Sequence, residues 1–160
     1  MSRATISRIL VVFLGIFILF TAISINKYIK SPDFIRIDSS NAGSFSRKVV
    51  LTIDDIIKNN DQSYTINGWA ILKGSNSMKD QKKIILLNEG NRSKYLFYKP
   101  TDVFRRDVTE HFYKKRNYDL SGFQLNIPLK ELPPGNYRLG VQITTENGQY
   151  YIMSNEKIKI

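Results

Sequence analysis

Few residues in this chain have the types and spacing that chemistry needs. His111 is the single histidine, with Glu110 beside it and Asp107 four positions earlier. On a helix, Asp107 and His111 would share a face, and the carboxylate could orient the imidazole. A hydrolytic triad also needs a nucleophile and an oxyanion site, and nothing marks either one. No Gly-x-Ser-x-Gly, Walker A or Rossmann glycine pattern occurs. Asp54, Asp55 and Asp61 could act as glycosidase carboxylates or calcium ligands. The calcium-loop spacing is absent, however, and adjacent acids at a strand end are normally solvated. With no cysteine there is no disulfide, thiolate metal site or cysteine nucleophile. One histidine excludes a multi-histidine zinc site. The residues read as a non-enzymatic protein with no cofactor and no metal.

Basic and aromatic residues offer a different chemistry. Lys79, Lys82 and Lys83 form one cluster, and Arg92, Lys94 and Lys99 another. Arg105-Arg106 and Lys114-Lys115-Arg116 follow, interleaved with Tyr95, Phe97, Tyr98, Phe104, Phe112, Tyr113 and Tyr118. Cationic heads pair with phosphate or carboxylate, and tyrosine faces stack on sugars. Arg92, Lys94, Tyr98, Arg105, Arg106, Tyr113 and Lys114 are the candidate ligand-binding residues. The alternative is that these charges only keep the domain soluble. Nucleic acid would also suit such a mixture, but the expected location of the domain argues against it.

That location follows from the N-terminus. The 160-residue chain carries a formal net charge of +10. Arg3, Arg8, Lys27 and Lys30 account for four of those charges, and no acid precedes residue 31. Between Arg8 and Lys27 runs ILVVFLGIFILFTAISIN, apolar on every face. As a helix these residues rise about 27 Å, close to the roughly 30 Å hydrocarbon core. Residues 1–30 therefore read as a signal anchor, a single-pass transmembrane helix. A cleaved signal peptide, ending near Ala22-Ile23-Ser24, is the alternative and would give a secreted protein. Asp33 and Asp38 follow the helix, and the short N-terminal flank has no acid, which favours N-in, C-out. The domain is then extracytoplasmic, where the anions are lipid headgroups, teichoic-type polymers and acidic polysaccharides.

Residues 31–46, rich in serine and broken by Pro32 and Gly43, read as a linker. From 47 to 160 the pattern is strands. Val49, Leu51 and Ile53 alternate, as do Tyr64–Leu72, Phe123–Ile127 and Tyr137–Ile143. Lys83–Leu87 is a continuous apolar run, and Asn88–Asn91 turns it toward Lys94–Tyr98. Gly74–Asp80 is a polar loop. Thr101-Asp102 could begin a helical turn, and Asp107–Lys114 a short helix. Leu132-Pro-Pro-Gly135 and Glu146-Asn147-Gly148 are turn signals, and Tyr150–Met153 and Ile158–Ile160 complete the sheet. About seven short strands predict an all-β, Ig-like antiparallel sandwich after one transmembrane helix.

Three pieces stand out: Gly68-Trp69-Ala70; Arg105-Arg106-Asp107-Val108; and Ser121-Gly122-Phe123 followed by Leu132-Pro-Pro-Gly-Asn-Tyr137. In this order they resemble a β-sandwich module of bacterial surface proteins that is also appended to glycan-processing proteins. The resemblance covers roughly residues 60–150, with Arg106 where the module usually has proline. It implies a non-catalytic, extracytoplasmic accessory domain. In the residues themselves, Gly68 and Ala70 leave room for Trp69 to plug the core, the alternative being an exposed sugar platform. Arg105 and Asp107 suit a bidentate clasp that pins a loop, or else a ligand-binding pair. Gly122 is expected to supply a backbone conformation closed to other residues. Two functions stay open: binding of envelope glycan or anionic polymer, and docking as an assembly subunit onto a larger membrane complex for envelope polysaccharide synthesis. In the second, Gly15, Thr21, Ala22 and Ser24 would allow close helix packing.

Overall fold

A computed structural model describes residues 43–60, 62–90 and 95–160. The expected membrane helix and most of the expected linker lie outside the described residues, as do Asp61, Arg92 and Lys94. Among the described residues no helix is long and apolar enough to cross a membrane.

The chain forms β1 (Ser44–Phe45), β2 (Val49–Asn59), β3 (Ser63–Leu72), β4 (Gln81–Asn88), β5 (Tyr95–Tyr98) and β6 (Thr101–Val103), then the short helix α1 (Arg106–His111). β7 (Gly122–Pro128), β8 (Asn136–Thr145) and β9 (Gly148–Lys159) complete it. Two sheets result, ordered β1-β9-β8-β4-β5 and β2-β3-β7-β6. β1 runs parallel to β9, and every other pairing is antiparallel. Ser44 and Phe45, the end of the stretch that composition marks as linker, already add to a sheet. Thr101-Asp102 is strand and not a helical turn, because pairing with Gln124 and Phe123 of β7 satisfies its backbone.

The sheets pack as a sandwich. Ile66, Ala70 and Leu72 of β3, and Phe123, Leu125 and Ile127 of β7, meet Ile84 and Leu86 of β4 and Leu139, Val141 and Ile143 of β8. These inward side chains recur at every second residue, as a strand with one face in the core requires. Each of these side chains larger than alanine contributes roughly 1.5–3 kcal/mol through burial. Tyr137 opens β8 in the core, and its hydroxyl donates to the Pro133 carbonyl at 2.8 Å, which fixes the preceding turn.

Trp69 differs from its expected place. Ile66, Gly68, Ala70 and Leu72 point into the core, so Trp69 and Ile71 point the opposite way. There Trp69 meets Phe112 edge to face at 6.3 Å, in a cluster with Val108 and Tyr118. It is neither a core plug nor an open platform. It fastens α1 and the following loop to the outside of the sheet. The space at Gly68 serves Phe123: a Cβ there would lie 2.8 Å from the Phe123 ring.

Lys82 shares the inward face with Ile84 and Leu86, and its side chain is 2% exposed. Its ammonium donates to the Leu120 carbonyl at 2.5 Å and pairs with Asp102 of β6 at 2.8 Å. This cation is spent on joining the two sheets and leaves the surface cluster in which its sequence neighbours place it.

Candidate functional site

Arg105 precedes α1, and Asp107 sits in the first turn of that helix. Arg105 Nε donates to Asp107 Oδ1 at 2.9 Å and Nη2 to Oδ2 at 2.8 Å, a bidentate clasp. A second carboxylate completes it: Nη1 donates to Asp54 Oδ2 at 2.5 Å. Asp54 reaches there because it is the extra residue of a β-bulge. Ile53 pairs with Gly68 and Asp55 with Asn67, so Asp54 has no cross-strand partner and is turned aside. The arginine stem passes over Gly122, where a Cβ would come 2.6 Å from Arg105 Cγ and 2.6 Å from the Val103 carbonyl oxygen. Gly122 is not among the positive-φ residues, so its role is space and not unusual backbone. Gly68-Trp69, Arg105-x-Asp107 and Gly122-Phe123 are thus one constellation: in register Gly68 faces Phe123 and Trp69 faces Gly122. The clasp is structural. With both carboxylates on Arg105, Asp107 is not free to orient His111, whose ring lies edge to face on Phe112 at 5.0 Å.

These pairs make stability depend on pH. The hydrogen bond from Arg105 holds the Asp107 carboxyl below its ordinary range, and the same bond raises the guanidinium. Lys157 and then Arg138 hold Glu89 low in the same way. Carboxyls lowered in the fold give stability that is present above their unfolded pKa and lost as pH falls through the folded value. Asp80 runs the other way: burial pushes it up, so it costs stability when ionised and that cost fades on acidification. Two lowered groups oppose one raised. The melting temperature is expected to hold from pH 8 to about 5 and to fall below about 4. Asp107→Asn is expected to flatten that fall. A melting temperature unchanged down to pH 3 would contradict the assignment.

Downstream of the clasp lies an open depression of about 590 Å³. Arg106, Lys114, Lys115 and Arg116 line it together with Asn76 and Asn117. Glu110 and Asp119 are its acids, and Asp119 accepts a hydrogen bond from the Thr109 hydroxyl at 2.6 Å. None of the four cations makes an ion pair among the described residues. The walls are held firmly. Ser77 N donates to the Asn117 carbonyl at 3.0 Å, Tyr118 N to Thr109 Oγ1 at 2.8 Å, and Tyr118 is buried against Val108. α1 is shorter than the expected Asp107–Lys114 because Tyr113 and Lys114 turn left-handed, with φ of +56° and +55°. Tyr113 is 84% exposed beside the depression's rim.

Of the sequence candidates, Arg106 and Lys114 meet in this depression and Tyr113 flanks it. Arg105 is withdrawn into the clasp. Tyr98 packs against the core between the sheets, and Ile84 is its pairing partner. Arg92 and Lys94 lie outside the described residues. Lys115 and Arg116 complete the site, and their place in one basic run with Lys114 was the available signal. Asn76, brought in from the β3–β4 loop, had none. Among the described residues no group of three or more His, Asp or Glu could hold a metal ion. Comparison of the chain with protein-family models, with curated proteins and with solved structures returns no match.

Proposed function

We propose that this chain is a single-pass membrane protein whose extracytoplasmic domain, an Ig-like sandwich, binds an anionic polymer or acidic glycan of the cell envelope without catalysis. The strand order supports the Ig-like reading: β2-β3-β7-β6 faces β9-β8-β4-β5, β1 runs parallel to β9, and Tyr137 bonds back to Pro133. The observation that carries the function is the depression with four cations that have no ion-pair partner among the described residues. A second feature agrees. A non-glycine residue in the left-handed region costs about 1–2 kcal/mol. The chain keeps an aromatic and a cation at two consecutive such positions, where glycine would be less strained.

The test is retention of the full-length protein, in detergent, on immobilised polyphosphate and polygalacturonate. Retention at low salt that fades as salt rises is expected, since paired anions release counterions. Neither polymer retaining the protein at low salt would remove this reading. The assembly-subunit reading has its own support in Val103 and Phe104, 38% and 62% exposed at the end of edge strand β6. A stoichiometric protein crosslinked at position 104 in native membranes, with no polymer retention, would favour it.

A further inference from the structure

A second depression, of about 310 Å³, is lined by the start of the β3–β4 loop. Lys48, Lys73, Ser75, Asn147 and Tyr150 line it, with no acid among its walls. Neither ammonium makes an ion pair among the described residues. The two depressions share a wall: Gly74 and Ser75 line this one, and Asn76, the next residue, lines the first. Consecutive Cα atoms are about 3.8 Å apart, so the two linings meet in the chain between Ser75 and Asn76. That stretch is pinned from both sides. Gly74 N donates to the Tyr118 hydroxyl at 3.0 Å, Lys73 N to the Lys48 carbonyl at 2.9 Å, and Leu120 N to Ser77 Oγ at 3.2 Å. Gly74, at φ +93°, has open space where a side chain would stand, so no side chain of its own fills that part of the loop.

We propose that the ligand is an extended polyanion that crosses the β3–β4 loop and fills both depressions, with its charges on Arg106, Lys114, Lys115 and Arg116 on one side and on Lys48 and Lys73 on the other. This rests on the anion-binding reading of the first depression and adds the shape of the ligand. A compact anion or a single headgroup would occupy one depression and gain nothing from the second. A chain long enough to span both gains from the two engagements together.

Tripolyphosphate and long-chain polyphosphate, titrated into the full-length protein, separate these cases. Affinity per chain is expected to rise with length. Lys48→Gln with Lys73→Gln is expected to weaken the long chain about tenfold and leave tripolyphosphate unchanged. The control removes two charges elsewhere: Lys130→Gln with Lys159→Gln, both exposed, the first in the turn after β7 and the second the last residue of β9. It should change neither. An equal loss for short and long chains, an equal loss in the control, or no dependence on length would overturn the extended site and leave simple anion binding standing. Binding to vesicles rich in anionic lipid but to neither polyphosphate would overturn both. Melting temperatures of the variants identify any loss that comes from unfolding.

Discussion

Gly122→Ala is expected to lower the unfolding free energy by about 3 kcal/mol, the upper end of the overpacking range. The added methyl meets the Arg105 stem and the Val103 carbonyl, both at 2.6 Å. Neither can yield easily. Arg105 is held by Asp107 on one side and Asp54 on the other, and Val103 is paired with Gly122 itself. Denaturant unfolding measures the loss, and a cycle with Arg105→Ala apportions it. If the stem is the obstacle, the double variant should lose less than the sum of the two single variants, because the alanine methyl would fill the vacated space. Strict additivity would mean that the arginine does not pass over this glycine. A loss under about 0.5 kcal/mol, the scale of an ordinary surface change, would contradict the packing altogether.

Lys82→Ala is expected to cost about 3 kcal/mol, at the low end for breaking a buried pair. Three effects add up: the buried stem leaves a void, the Leu120 carbonyl loses its donor, and Asp102 loses its counter-charge. The figure stays low because the Asp102 side chain is 53% exposed and water can resolvate it. Lys82→Met separates the contributions. It restores the volume but not the charge, so the remaining loss should approach the roughly 1 kcal/mol of one hydrogen bond. Equal losses for alanine and methionine would show that the charge matters more than the packing.

These two sites show what the sequence made legible and what it did not. Period-two runs at Tyr64–Leu72, Phe123–Ile127 and Tyr137–Ile143 predict strands, and strands form there, because a strand with one buried face cannot hide its parity. The Glu146-Asn147-Gly148 hairpin is read as easily, with Gly148 at φ +133°. The same parity sets Lys82 in phase with Ile84 and Leu86 and so marks it as buried, although a lysine between Gln81 and Lys83 invites a surface reading. Trp69 misleads for the opposite reason. The last residues of β3 are covered on both faces, by the other sheet and by α1 with its loop, so from Gly68 to Leu72 neither phase is polar and the alternation that marks Tyr64–Asn67 stops announcing the core. Asp54 was only faintly marked: the apolar period of two in Val49, Leu51 and Ile53 resumes at Ile56, one residue out of phase, which is the trace of the register shift there. The basic depression was half legible. Arg106 and the run Lys114–Arg116 are near in sequence, but Asn76 joins them only through the pairing of Ser77 with Asn117.

The clasp, the Trp69 cluster and the Tyr118 anchor together hold one segment against the sheet, and that segment presents the cations. Whether that segment holds the anion is decided by polyphosphate retention of wild type and Lys114→Gly, measured side by side with their melting temperatures. Glycine relieves a left-handed backbone, so Lys114→Gly is expected to melt at the same temperature or higher while retention at low salt falls severalfold. Retention equal to wild type, with the fold intact, would contradict this role for the segment.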